Sequence, residues 1–130
     1  MAKKSTRLAL ATTAGLISAI GLASPALAHD TRYDGPYACG ITEVQSCGYG
    51  QVRDSHQIVD ACDTREDGRG YFVEYTLQNG TKGSVNDGNG AASGCGIKRV
   101  GTTANPVYSY RVCSNQGGGS LNVCSGIKIA

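Results

Sequence analysis

Cys39, Cys47, Cys62, Cys95, Cys113 and Cys124 are the residues of this 130-residue chain with the most chemistry to offer. Thiols close disulfides, hold metals or attack electrophiles. No Cys-x-x-Cys pair occurs, which argues against a zinc site. An even number of cysteines in a short exported chain reads as a disulfide framework. Six cysteines allow about 15 connectivities. Short loops favour pairing in sequence order: Cys39–Cys47, Cys62–Cys95 and Cys113–Cys124. The chain-entropy relation assigns these loops roughly 2.6, 3.7 and 2.8 kcal/mol as upper bounds.

The two histidines offer a second chemistry. If a leader ends at Ala28, His29 becomes the first residue, and its α-amine and imidazole make a two-nitrogen copper grip. His56 would supply a third nitrogen. Asp54-Ser55-His56 places triad residue types side by side. Neighbours along a strand point to opposite faces, so Ser55 and His56 are not expected to work as nucleophile and base. Asp63, Asp67, Gly68 and Glu74 fall where a calcium loop would want them. Arg65 occupies a ligand position of that loop, and Glu74 lies in a strand pattern. An acidic turn between strands is therefore expected. Neither a catalytic residue, a cofactor nor a metal belongs to the leading expectation, and the chain reads as non-enzymatic.

Residues 1–28 have the organisation of a secretory leader. Lys3, Lys4 and Arg7 precede an apolar run, and Ala26-Leu27-Ala28 fits a cleavage site. The run is too short, and too rich in Thr, Ser and Gly, to span ~30 Å of hydrocarbon. No later segment is apolar enough to do so, and a secreted, extracellular protein without membrane attachment after cleavage is expected. Residues 29–130 carry nine basic and ten acidic side chains, so the +2 of the whole chain becomes about −1. That balance argues against nucleic-acid binding, which needs clustered Lys and Arg.

The elements that must hold these residues are short. With one Phe, no Trp and 19 Gly, the core is thin, and disulfides compensate. Tyr71, Val73, Tyr75 and Leu77 alternate with Phe72, Glu74, Thr76 and Gln78, a half-buried strand. Asn79-Gly80 then marks a hairpin. A three-residue loop with a Gly80 bulge pairs Leu77 with Thr81 and Val73 with Val85, keeping apolar residues on one face. Residues 108–112 alternate likewise. The Gly-rich stretch 39–50 alternates too weakly to assign. Sustained helical periodicity is absent, so an all-β protein is predicted: a small disulfide-stapled, Ig-like β-sandwich or barrel. Residues 29–50 form an N-terminal arm in this reading, with 29–37 either flexible or an edge strand, and 51–130 form the β domain. Of the seven tyrosines, Tyr33, Tyr37 and Tyr49 lie in the arm and suit a contact surface. The loop containing Asn86, Asp87 and Asn89 is a second candidate contact.

The stretch CDTREDGRGYFVEYTLQNGTKGSVNDGNGAASGCG, followed by YRVC and CSGIKI, resembles a class of small secreted actinobacterial proteins. The resemblance covers residues 62–126. It implies a β-sandwich with Cys62–Cys95 and Cys113–Cys124 paired. Such proteins are similar to the adaptor subunit of Streptomyces umbrella toxin particles. There a small Ig-like subunit links a lectin-like subunit to a repeat-containing toxin subunit, its N-terminal segment adding to the repeats. The resemblance implies a secreted protein-binding module, in its most concrete form an assembly adaptor, with 33–37 as docking strand. The alternatives are an inhibitor of an extracellular hydrolase, using loop 63–70 or 104–107, and a copper-binding protein using His29.

Overall fold

A computed structural model describes residues 29–35, 47–115 and 121–130. The leader, Tyr37, Cys39 and the Gly-rich tip 116–120 lie outside the described residues. Among the described residues nine strands form two antiparallel sheets: β1 (Thr31–Asp34), β2 (Gly48–Arg53), β3 (Ile58–Asp63), β4 (Gly70–Leu77), β5 (Lys82–Asn86), β6 (Gly96–Arg99), β7 (Val107–Asn115), β8 (Val123–Cys124) and β9 (Lys128–Ile129). The first sheet runs β1-β2-β3-β6. The second runs β5-β4-β7-β8, with β9 also paired to β7. The protein is an all-β, disulfide-stapled sandwich.

The hairpin of β4 and β5 forms as its pattern dictates. Val73 faces Val85, and the Leu77 amide donates to Thr81 at 2.8 Å. Gly80 adopts φ of +87°, a region that Gly enters without steric cost. Inward residues of β4 and β7 (Tyr71, Val73, Leu77, Val107, Tyr110 and Val112) meet Val52, Val59 and Ala61 of the opposing sheet. The first sheet brings glycine against the largest of them. A Cβ on Gly48 would lie 2.4 Å from Tyr71 Cγ, and one on Gly50 would lie 2.5 Å from Val73 Cγ2. Small residues on one wall and large ones on the other let the sheets close at core density.

β1 and β2 belong to the sandwich. Thr31 and Tyr33 point inward beside Val52 and Gly50, so the described part of the expected arm is an edge hairpin of the first sheet. β2 runs through residue 50, where the arm was expected to end.

The expected disulfides Cys62–Cys95 and Cys113–Cys124 are present, and Cys47 is disulfide-bonded too. Both described bridges join neighbouring strands within a sheet. Cys113 faces Cys124 in register, and Cys62–Cys95 extends the β3–β6 ladder by one position.

Candidate functional site

Two surfaces meet at the start of β1. The first is its outer edge. The Gly35 amide donates to the Gly48 carbonyl at 2.7 Å, which fixes the hydrogen-bonding parity of the β1–β2 ladder. Thr31 and Tyr33 therefore exchange bonds with β2, while the backbone groups of Arg32 and Asp34 point away from it. Lys128 reaches over from the second sheet and its Nζ donates to the Arg32 carbonyl at 2.9 Å. Among the described residues no strand covers this edge.

The tyrosines divide by sheet face. Tyr33 is half-buried against the core, with Lys128 Nζ 5.2 Å from its ring centroid. Tyr49 lies on the outer face, covered by the Arg32 guanidinium at 3.6 Å, and its hydroxyl is 3.8 Å from Cys95 Sγ. Lys128 carries no local sequence signal for this role, because 96 residues separate it from Arg32.

The second surface is the turn between β2 and β3. The ladder places His29 level with this turn: Thr31 faces Val52, so two residues earlier the chain reaches Asp54. The His29 and His56 rings lie 5.5 Å apart between centroids, edge-on at 86°. His56 Nε2 is 3.1 Å from the His29 carbonyl oxygen, and Asp30 Oδ1 accepts the Asp54 amide at 3.2 Å. Asp54, Ser55 and His56 form a left-handed turn, with φ of 53°, 55° and 62°. The triad reading assumed a strand here. In the turn, Asp54 pairs with Arg99 and His56 with His29, and neither bonds Ser55.

The loop after β5 separates its three candidates. Asn86 and Asn89 are exposed. Asp87 is only 9% exposed, and its Oδ2 accepts the Asp63 amide at 2.7 Å, so this carboxylate ties the loop to the end of β3. Residues 63–70 form the expected acidic turn: Asp63 Oδ1 accepts the Arg65 amide and Asp67 Oδ1 the Arg69 amide. Glu74 points to the outer face and pairs with Arg111 at 2.6 Å, away from Asp63. Glu74 also lies within 4.8 Å of Cys113 and Cys124, but their sulfurs are joined to each other. No described helix is long and apolar enough to cross a membrane.

Burial pushes the Asp63 carboxyl up. The Arg65 amide opposes this, while Asp67 and Asp87 add to it. Burial likewise raises the phenols of Tyr71 and Tyr110, with the Ser114 and Thr31 hydroxyls pulling the other way. No family model, curated protein or solved structure matches this chain.

Proposed function

We propose that this chain is a secreted, non-enzymatic protein-binding module that takes an extended segment of a partner onto the open edge of β1. In its most concrete form it is an assembly adaptor in an extracellular complex, of the kind that joins a lectin-like subunit to a repeat-containing toxin subunit. The observation that supports this reading is the outward-facing backbone of Arg32 and Asp34, where the Arg32 carbonyl is held by Lys128 and the Arg32 amide and both Asp34 groups point away from β2. An unpaired edge takes main-chain hydrogen bonds from an added strand, and neighbouring side chains supply selectivity. Half-buried Tyr33 and Arg32-capped Tyr49 flank that edge. Disulfide-bonded cysteines are compatible with the oxidising compartment the reading requires.

The test uses proline as an edge blocker. Asp34→Pro removes an outward N–H and leaves the Gly35–Gly48 bond in place. Ser84→Pro does the same at the open edge of β5, where Ser84 faces Glu74 between two hydrogen-bonded positions. The tagged mature chain is used to capture proteins from the culture supernatant of its native host. A partner held by wild type and Ser84→Pro but lost from Asp34→Pro supports the reading. Recovery of a lone monomer, or capture indifferent to Asp34→Pro, refutes it.

A further inference from the structure

The turn after β2 is costly for its size. Left-handed backbone is disfavoured for L-residues and is usually visited by single Gly, Asn or Asp residues. Here Asp54, Ser55 and His56 adopt it in succession. Such strain persists only where the surroundings over-determine it, and it clusters at functional sites. The surroundings are dense. The His56 carbonyl accepts the Val107 amide at 2.7 Å, and the Gln57 carbonyl accepts the Val100 and Gly101 amides at 2.9 and 3.0 Å. Arg99 holds both Asp54 and Gln57. Asp30 anchors the incoming chain on the Asp54 amide. The result is one imidazole fixed against the backbone of the residue that carries the other.

The ring spacing suits a shared metal. A metal–nitrogen bond of about 2.0–2.1 Å sets a metal about 3.2 Å from each ring centroid, so two imidazoles on one ion have centroids about 4.5–6.4 Å apart, from right-angled to opposed. The observed 5.5 Å lies inside that range. His56 Nε2 donates to the His29 carbonyl at 3.1 Å, which fixes the ring and leaves Nδ1 as the nitrogen able to bind the ion. In a chain processed after Ala28, the His29 nitrogen is a primary amine, able to close a six-membered chelate with its own Nδ1.

We propose that the processed chain binds one Cu(II) through the His29 α-amine, the His29 imidazole and the His56 imidazole. Three neutral nitrogens favour Cu(II) above the other divalent first-row ions. Asp30 and Asp54 each commit one carboxylate oxygen, to the turn amide and to Arg99. The site forms only after processing, because in the precursor the His29 nitrogen is an amide. It is independent of partner binding at the β1 edge.

The experiment uses the full mature chain, secreted from a host that removes the leader, with its N-terminus established by intact mass. Cu(II) affinity is measured by chelator competition and coordination by electron paramagnetic resonance. One ion per chain with a three-nitrogen spectrum is expected. His56→Asn suits the left-handed backbone and should weaken binding at least tenfold, leaving a two-nitrogen spectrum. A Gly/Ser extension of about five residues before His29 keeps every side chain and should weaken binding at least as much. Zn(II) alone should bind more weakly than Cu(II). A mature N-terminus other than His29, no uptake, or affinity and spectrum unchanged by His56→Asn or by the extension, would each overturn the proposal.

Discussion

Asp63 is only 4% exposed, with a side chain that accepts the Arg65 amide and a backbone amide that donates to Asp87. Burial, and then the nearby Asp67 and Asp87 charges, hold its carboxyl above the ordinary range despite the Arg65 bond. The sign of the stability effect follows. Between the unfolded value near 4 and the raised folded value, the folded state holds this proton more tightly than the unfolded state does. The resulting stability is fully present below the unfolded value and is lost as pH rises through the folded one. Above its folded value the ionised Asp63 therefore opposes folding. Asp63→Asn keeps an oxygen for Arg65 and removes the charge. The variant should be more stable than wild type at pH 7, and the gap should close as pH falls toward 4. Urea unfolding of both proteins across that range measures the difference. A gap that does not vary with pH, or a less stable variant at pH 7, contradicts this account.

The strands differ in how openly their residues declare them. β4 and β5 were legible because Tyr71, Val73 and Leu77 alternate cleanly and Asn79-Gly80 fixes the turn. β2 was not, because two of its three inward positions are Gly48 and Gly50 while its aromatic residue, Tyr49, faces outward. The hydrophobic signal is inverted where the opposing wall supplies the bulk. β1 was legible only as one of two alternatives, an edge strand or a flexible arm, because it has four residues and its inward pair, Thr31 and Tyr33, looks polar by type. The histidine pair was legible as residue types. Its proximity was not, since it depends on the β1–β2 register and on a turn built from three non-glycine left-handed residues. Glycine at 50 is consequently a packing requirement. Its absent Cβ would meet Val73 Cγ2 at 2.5 Å and Val112 Cγ2 at 2.7 Å, and both valines are fully buried. Gly50→Ala should cost about 1–3 kcal/mol by overpacking. Adding Val73→Ala removes one of the two clashing methyls, so the double variant should be more stable than the sum of the single losses predicts. Strict additivity in urea unfolding would show that the sheets do not meet at this contact.

Across the whole molecule, the two described disulfides and the valine-tyrosine core act on different parts of the fold. Both bridges tie neighbouring strands of one sheet, and the sheet-to-sheet contact is carried by apolar side chains. Cys113–Cys124 spans 11 residues and holds the two-residue strand β8 on β7. Cys62–Cys95 spans 33 residues and brings back β6 after the whole β4–β5 hairpin has been built in the other sheet. The longer loop removes more freedom from the unfolded chain, so its loss should be the more damaging. The chain-entropy relation gives about 3.7 kcal/mol for Cys62–Cys95 and about 2.8 kcal/mol for Cys113–Cys124. A small domain has only about 5–15 kcal/mol in total. Replacing Cys113 and Cys124 with alanine should leave a folded protein with a lower urea midpoint. Replacing Cys62 and Cys95 should lower the midpoint further, and removing both bridges should leave little folded protein at 37 °C. Because β8 is short and peripheral, the first variant should also keep the His29–His56 geometry and the β1 edge, both of which lie on the first sheet. A larger loss from Cys113–Cys124 than from Cys62–Cys95 would mean that the C-terminal strands are integral to the core and not a clasp upon it.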